Sequence, residues 1–268
     1  MREGPAPVTS RAAGTALQAD AGPEPAATPR PGPTLPATVC RLGFWAAILT
    51  MVLSATALAI GFVTPVRGGP FCPSSCIAYP YVDAGSFFPE DYIWIVPAFL
   101  LVPTFVVLMA CIDAYAAYGR KLFGRLALSF ALVYAPIVAI DYFIQFTVIA
   151  PSLRSGQTDG LSLFTMYNPH GLFVALESLG YLAMAVAFLF AAPVFEGGRV
   201  ERSIRWIFVA GFVLAVAMFL GLSFAGSDIV GFEVAVLSID WIVLIVAGVL
   251  LAVVFARAGR PESSRLSG

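Results

Sequence analysis

The sequence predicts an all-α integral membrane protein, a bundle of six transmembrane helices with a disordered N-terminal tail. Of its 268 residues, 59% are hydrophobic and only 12% are charged, about half the charged fraction of a typical soluble domain. The apolar residues form six runs of about 20 or more, which is the length that spans a bilayer. These runs are continuous and do not alternate with polar residues as the strands of a membrane barrel would.

The first 38 residues carry no periodic apolar pattern. They are rich in proline, alanine, glycine and threonine, and such a segment buries too little apolar surface to offset the entropy cost of ordering. We therefore expect residues 1–38 to be a disordered tail. The tail also differs from a secretory signal, because the first apolar run begins about forty residues in instead of directly behind a basic start.

Six apolar runs follow the tail, separated by proline, glycine and charged residues. We expect them to form one membrane domain over residues 39–257, with a short tail at 258–268. Small residues four apart suit close packing between membrane helices, and such pairs are Ala57 with Gly61 in span 1 and Ala217 with Gly221 in span 5. The predicted spans are about 42–64, 92–112, 125–150, 171–195, 204–226 and 231–256.

The distribution of arginine and lysine predicts the orientation of the chain. These residues concentrate between spans 2 and 3, between spans 4 and 5, and at both ends of the domain, whereas the other three loops carry only Arg67 and Arg154. Cationic loops stay on the cytoplasmic side. We therefore expect an inner (cell) membrane protein with both termini in the cytoplasm. Trp45 and Trp206 near inner ends and Trp94 near an outer end fit an aromatic belt.

Ionisable residues inside the spans are costly, which makes them candidates for function. Asp141 lies near the middle of span 3, Glu177 two turns inside span 4 and Asp240 two turns inside span 6, with no arginine or lysine deep in a span to neutralise them. If these spans pack together, the acids line one polar pocket open to the outside. The candidate ligand- or ion-binding residues are Asp141, Gln145, His170, Glu177, Glu233 and Asp240.

A buried carboxyl must be protonated, hydrogen-bonded or balanced by a cation. The acids can therefore bind a proton or a metal cation, bind a cationic or polyhydroxylated ligand, or join helices as protonated structural groups. His170 can instead lie in a helix-entry turn after Asn168 and Pro169. Glu233 can be a charge that meets a helix dipole. The sequence identifies no cofactor and leaves metal binding open.

Two of the four cysteines, Cys72 and Cys76, lie in a loop that we expect outside the cell. An oxidising compartment favours a disulfide between them. Their spacing is not that of a thioredoxin-like redox site, and the four cysteines lack the paired spacing of a zinc site.

Three classes of function remain open. The first is a transporter or binding protein for a small solute, a cation or a proton. The second is a structural or accessory membrane protein whose buried acids join helices. The third, a membrane-embedded metal-dependent hydrolase, is disfavoured because the chain has a single histidine and lacks the HExxH and GxSxG motifs. The lipid bilayer is the expected partner, and no basic patch indicates nucleic-acid binding.

The stretch IDYFIQFTVIAPSL, followed by TDG, YNPHGLFVALESLGY and AFLFAAPVF, resembles a recurring pattern in bacterial polytopic membrane proteins of six spans without an assigned function. The resemblance covers residues 90–195. It implies that this stretch forms one unit, and it carries no activity with it. The composition, rich in alanine, arginine and proline, suggests a bacterium with a GC-rich genome.

Overall fold

The structure is a computed structural model that describes residues 35–69, 72–224 and 229–260. Side chains are described for these residues except at 222–224 and 229–233. Within this part of the chain all regular secondary structure is helical. The predicted N-terminal tail up to residue 34, and residues 261–268, lie outside the described residues.

Six long helices make up the bundle, and we number them in chain order. Each is long and apolar enough to cross a membrane, so the predicted fold class of an all-α bundle of six membrane helices is confirmed. Their bounds are α1 Ala37–Val63, α2 Ile95–Tyr115, α3 Lys121–Ile144, α4 Leu172–Ala191, α5 Arg199–Phe224 and α6 Ile229–Ala258.

The third helix continues past the predicted end of its span. It passes into a π-helical segment at Gln145–Ile149 and then into a short α-helix at Ala150–Arg154. Pro151 has no N–H to donate to the carbonyl of Thr147, and its ring crowds the preceding turn. The helical hydrogen bonding therefore changes where this proline enters the chain.

The helices form a ring in which each packs against its neighbours in the chain and α1 closes on α6. Helix α4 also contacts both α6 and α2, which places it nearest the centre. In the apolar stretches of α2, α4 and α6, 56%, 61% and 56% of residues are buried, against 28%, 33% and 22% for α1, α3 and α5. The second set therefore provides most of the lipid-facing surface.

Glycines mark the closest approaches between helices. A Cβ at Gly180 of α4 would lie 2.3 Å from Val138 Cγ2 of α3, and one at Gly248 of α6 would lie 3.0 Å from a backbone oxygen of α1. By contrast, a Cβ at Gly61 or Gly221 would have no neighbouring atom within 4 Å. The predicted packing role of Gly61 and Gly221 is therefore wrong, because both face open space.

The two ends of the bundle differ in their connections. The end we call the disulfide end carries the α1–α2 and α3–α4 connections, and a disulfide bond joins Cys72 to Cys76 there. The other end, which we call the arginine end, carries the α2–α3 and α4–α5 connections. Arg120 forms an ion pair with Glu196 at this end.

Candidate functional site

A cavity of about 220 Å³ lies at the disulfide end, between α1, α4, α6 and the two connections. It is larger than the engineered cavity of roughly 150 Å³ that holds benzene. Its lining is mainly apolar and aromatic with a few polar groups, as in sites for small organic molecules. The polar and aromatic residues of the lining are Phe62, Thr64, Arg67, Asp91, Trp94, Tyr167, Phe173, Glu177, Ser238 and Trp241.

Glu177, Trp94 and Trp241 form what we call the cavity floor. The Glu177 side chain is only 1% exposed, so a charge on it is largely removed from water. The two indole rings lie 6.2 Å apart between centroids, and Phe173 lies 6.5 Å from Trp94. Trp94 thus packs inward and does not join the predicted aromatic belt. A carboxyl group beside aromatic faces can bind an organic ammonium group.

A chain of hydrogen bonds runs from the cavity floor into the bundle. The Tyr142 hydroxyl of α3 donates to Glu177 Oε1. The hydroxyls of Tyr142 and Tyr181 are 3.1 Å apart, and because Tyr142 donates to Glu177, Tyr181 is the donor of this second bond. Trp241 Nε1 donates to the Tyr181 hydroxyl at 3.1 Å. This hydrogen-bond chain joins α3, α4 and α6 around the glutamate.

The two other deep acids lie in the core and do not line the cavity. Asp141 is 3% exposed and Asp240 is fully buried. Asp141 Oδ2 and both carboxyl oxygens of Asp240 have no hydrogen-bond partner in the described part of the chain. Asp141 interacts electrostatically with Glu177, and Tyr134 interacts with both Asp240 and Glu177. The structure thus brings the three predicted acids into one region, with only Glu177 at the cavity.

Gln145 holds the α3–α4 connection. Its Nε2 donates to Phe164 O at 2.7 Å, and its Oε1 accepts from the Met166 N–H at 3.3 Å. The side chain is 1% exposed, and its amide group pairs with two backbone groups of the connection as a backbone amide would. It does not line the cavity, although it lies one turn from Asp141 as the sequence predicts.

The remaining two candidate residues lie apart from the cavity floor or outside the described atoms. His170 is exposed, and its backbone N–H donates to Asn168 Oδ1 at 2.9 Å, as in a helix-entry turn ahead of α4. The side chain of Glu233 lies outside the described residues. A binding role for either residue stays a prediction.

Sequence reasoning missed a buried ion pair at the rim of the cavity. Arg67 Nε lies 2.6 Å from Asp91 Oδ2, and the Tyr167 hydroxyl donates to the same oxygen at 3.0 Å. The guanidinium also lies over the Phe87 ring, 3.7 Å from its centroid. Burial raises the pKa of Tyr167 above its usual range. The only sequence signal was that Arg67 is the single cation of its loop.

The described residues contain no group of three or more His, Cys, Asp or Glu side chains that could hold a metal ion. The rim pair of Arg67 and Asp91 is neutral overall. The net charge of the described cavity lining therefore depends on Glu177, which favours a cationic occupant over an anionic one.

The fold and the cavity together define the class of a multi-pass α-helical membrane protein with a solute-sized cavity at one end. Comparisons with protein-family models, with curated proteins and with solved structures found no match. The resemblance of residues 90–195 to bacterial polytopic membrane proteins stays a prediction.

Proposed function

We propose that the protein is a transporter or solute-binding membrane protein that takes a small organic cation into this cavity, with Glu177 as its counter-ion. The main support is the position of Glu177 in the lining of a cavity of about 220 Å³, beside Trp94 and Trp241. A carboxylate removed from water needs a cationic partner. Each aromatic face adds about 0.5–2 kcal/mol of attraction for an ammonium group.

The size and lining of the cavity limit the chemistry of the solute. By proportion to the benzene-binding cavity, a volume of about 220 Å³ holds roughly nine non-hydrogen atoms. The apolar lining favours an amine that carries one short hydrocarbon or aromatic group. A polyhydroxylated solute is disfavoured, because Arg67, Asp91 and Tyr167 already bond to one another.

The disulfide end is the side from which we propose that the solute enters. The arginine end carries Arg120, Lys121, Arg199 and Arg202, so the positive-inside rule places that end in the cytoplasm. A disulfide between Cys72 and Cys76 agrees with an oxidising space at the opposite end. We therefore propose an inner-membrane protein with cytoplasmic termini and an outward-facing cavity.

A structural role is the second candidate, and one observation favours it for part of the polar set. Gln145 and Asp91 each bond to groups of a neighbouring connection, which accounts for their burial without a ligand. Glu177 differs from both, because it lines the cavity. The hydrolase alternative gains no support from His170, which is exposed and lies outside the described cavity lining.

Thermal unfolding of the purified protein in detergent tests this proposal. A ligand that binds only the folded form raises the Tm, with a stabilisation of about 2.7 kcal/mol at a concentration of 100 Kd. We expect phenethylammonium and hexylammonium to raise the Tm, whereas their neutral analogues phenethyl alcohol and hexanol have little effect. Glu177→Gln should abolish the response to the amines.

The matched control is Glu196→Gln, which makes the same chemical change at the arginine end. This variant should respond to the amines as the wild type does. Equal stabilisation by the amines and the alcohols, or an intact amine response in Glu177→Gln, would show that the cavity is not a cation site.

A further inference from the structure

We infer that Asp240 is a proton-carrying site in the core, connected to Glu177 through buried tyrosines. The transfer of a proton between Glu177 and Asp240 when a solute binds rests on the proposed function, whereas the proton site at Asp240 does not. Asp240 is fully buried, and neither of its carboxyl oxygens has a hydrogen-bond partner in the described part of the chain. A carboxyl group in such surroundings must carry a proton or a bound cation.

Contacts between α1 and α6 set the depth of Asp240. A Cβ at Gly43 would lie 2.7 Å from the Phe255 ring, and one at Gly248 would lie 2.9 Å from an α1 side chain, so the two helices run antiparallel. Asp240 lies two helical turns, about 12 Å, from Gly248 toward the disulfide end. This places it within about one helical turn of the level of Ser54.

Two hydroxyl groups on α1 lie between the level of Asp240 and the arginine end. Thr50 and Ser54 lie one turn apart on α1, and both are fully buried with no hydrogen-bond partner for the hydroxyl among the described residues. Thr50 lies two turns from Gly43, and Ser54 lies two turns from Ala47. Both Gly43 and Ala47 approach α6. Residues with this spacing share a helix face, so both hydroxyls face α6.

The titratable groups of the described residues that face this part of the core come from α3 and α4. No arginine or lysine is among them, and α1 and α5 contribute no titratable group at this level. A calcium or magnesium ion would need about six oxygen ligands and a zinc ion about four ligands, whereas no group of three His, Cys, Asp or Glu side chains in the described chain could hold a metal ion. A proton needs the fewest partners. Tyr134 on α3 interacts with Asp240 itself. Asp141 and Tyr142 on α3 and Tyr181 on α4 interact with Glu177.

Buried tyrosines lie close to both this site and the cavity floor. Tyr134 interacts electrostatically with both Asp240 and Glu177, and its ring centroid lies 5.8 Å from that of Tyr181. Tyr181 continues through Tyr142 to Glu177. The Tyr134 hydroxyl has no hydrogen-bond partner among the described residues, so it must turn toward Asp240 and the Tyr181 hydroxyl before protonated Glu177 can pass a proton along these groups to an ionised Asp240. Asp240 becomes neutral, and Glu177 becomes the carboxylate that an ammonium group pairs with.

Infrared spectroscopy of the ligand-free protein in detergent tests the proton site alone. At about pH 8, well above the ordinary value for an aspartic acid, we expect a carbonyl stretch of a protonated carboxyl in the wild type. Asp240→Asn should remove this band, and Asp240→Glu should shift it. Glu177→Gln should retain it. A difference spectrum in which Asp240→Asn loses only a carboxylate band would overturn the inference.

Adding phenethylammonium in the same experiment separates this inference from the proposed function. If the Asp240 band is present and the amine changes no carboxyl band, the proton site is supported and the cation site fails. The opposite result has two parts: the amine removes a carboxyl band that Glu177→Gln also lacks, and Asp240→Asn has the same spectrum as the wild type. That result would support the cation site and rule out the proton site. In Tyr181→Phe, we expect both acids to keep their bands but to exchange their protons more slowly with deuterium from the solvent.

Discussion

Individual polar residues that look alike in the sequence have different surroundings in the fold. Gln145 and Asp240 both lie in apolar runs, yet the amide of Gln145 is bonded on both sides by a connecting segment, whereas Asp240 has no partner among the described residues. Helical spacing predicted that such side chains face the interior, and they do. It could not predict their partners, because these come from loops and from helices distant in the sequence.

We predict that Gln145→Leu destabilises the protein but leaves solute binding intact. The substitution leaves the Phe164 carbonyl and the Met166 N–H without their partner, at a cost of about 1–3 kcal/mol for each buried group. Thermal unfolding with and without phenethylammonium measures both effects. A variant as stable as the wild type that no longer responds to the amine would instead make Gln145 a ligand-binding residue.

We predict that Tyr167 makes stability sensitive to alkaline pH. Burial raises the pKa of Tyr167, so the folded protein keeps the hydroxyl proton where the unfolded chain, which titrates near pH 10, loses it. The stability that this hydroxyl supplies is complete below about pH 10 and is lost as the pH rises through the folded-state value. The fall in Tm above about pH 10 should be shallower in Tyr167→Phe.

The control for this experiment is Tyr79→Phe, which makes the same chemical change at a side chain that is 73% exposed. If Tyr167→Phe shows the same alkaline slope as the wild type, the Tyr167 hydroxyl does not contribute in this way.

At the scale of the helices, the apolar runs predicted each element closely, because a membrane span needs little more than length and hydrophobicity. The prediction failed where the outcome depends on neighbours. It ended span 3 at residue 150, whereas helical structure continues to Arg154 through the π-helical segment. It assigned close packing to Gly61 and Gly221, because spacing alone does not reveal which glycines face another helix.

We predict that Gly180→Ala separates α3 from α4 and weakens the site. The added methyl group would lie 2.3 Å from Val138 Cγ2, so one helix must move, and such overpacking costs about 1–3 kcal/mol. The movement should also weaken the Tyr142–Glu177 hydrogen bond that joins the same two helices. Thermal unfolding and amine affinity measure the two effects.

Gly221→Ala is the matched control in α5, because its new methyl group meets no neighbouring atom within 4 Å. At this position alanine should leave the stability of the protein unchanged or raise it slightly, because alanine loses less backbone freedom than glycine when the helix forms. If both alanine variants have the same effect on stability and amine affinity, the close approach of α3 and α4 does not support the site.

In the whole molecule, the ring of six helices holds its acids in a core where no buried arginine or lysine is found among the described residues. The sequence predicted that Asp141, Glu177 and Asp240 come together, because all three lie in the same half of their spans. It did not predict that only Glu177 reaches the cavity, nor that Arg67 and Asp91 form its rim. Those features depend on how the connections fold back over the disulfide end.

An organic cation that pairs with Glu177 should displace the proton that this carboxyl carries in the ligand-free protein. The most direct measurement is a calorimetric titration with phenethylammonium at about pH 7 in two buffers of different ionisation enthalpy, which gives the number of protons released on binding. We predict the release of about one proton for each amine bound by the wild type, because Asp240 already holds its own proton, and no binding by Glu177→Gln. If binding releases no proton and persists in Glu177→Gln, or if phenethyl alcohol binds equally tightly, then no organic cation pairs with Glu177.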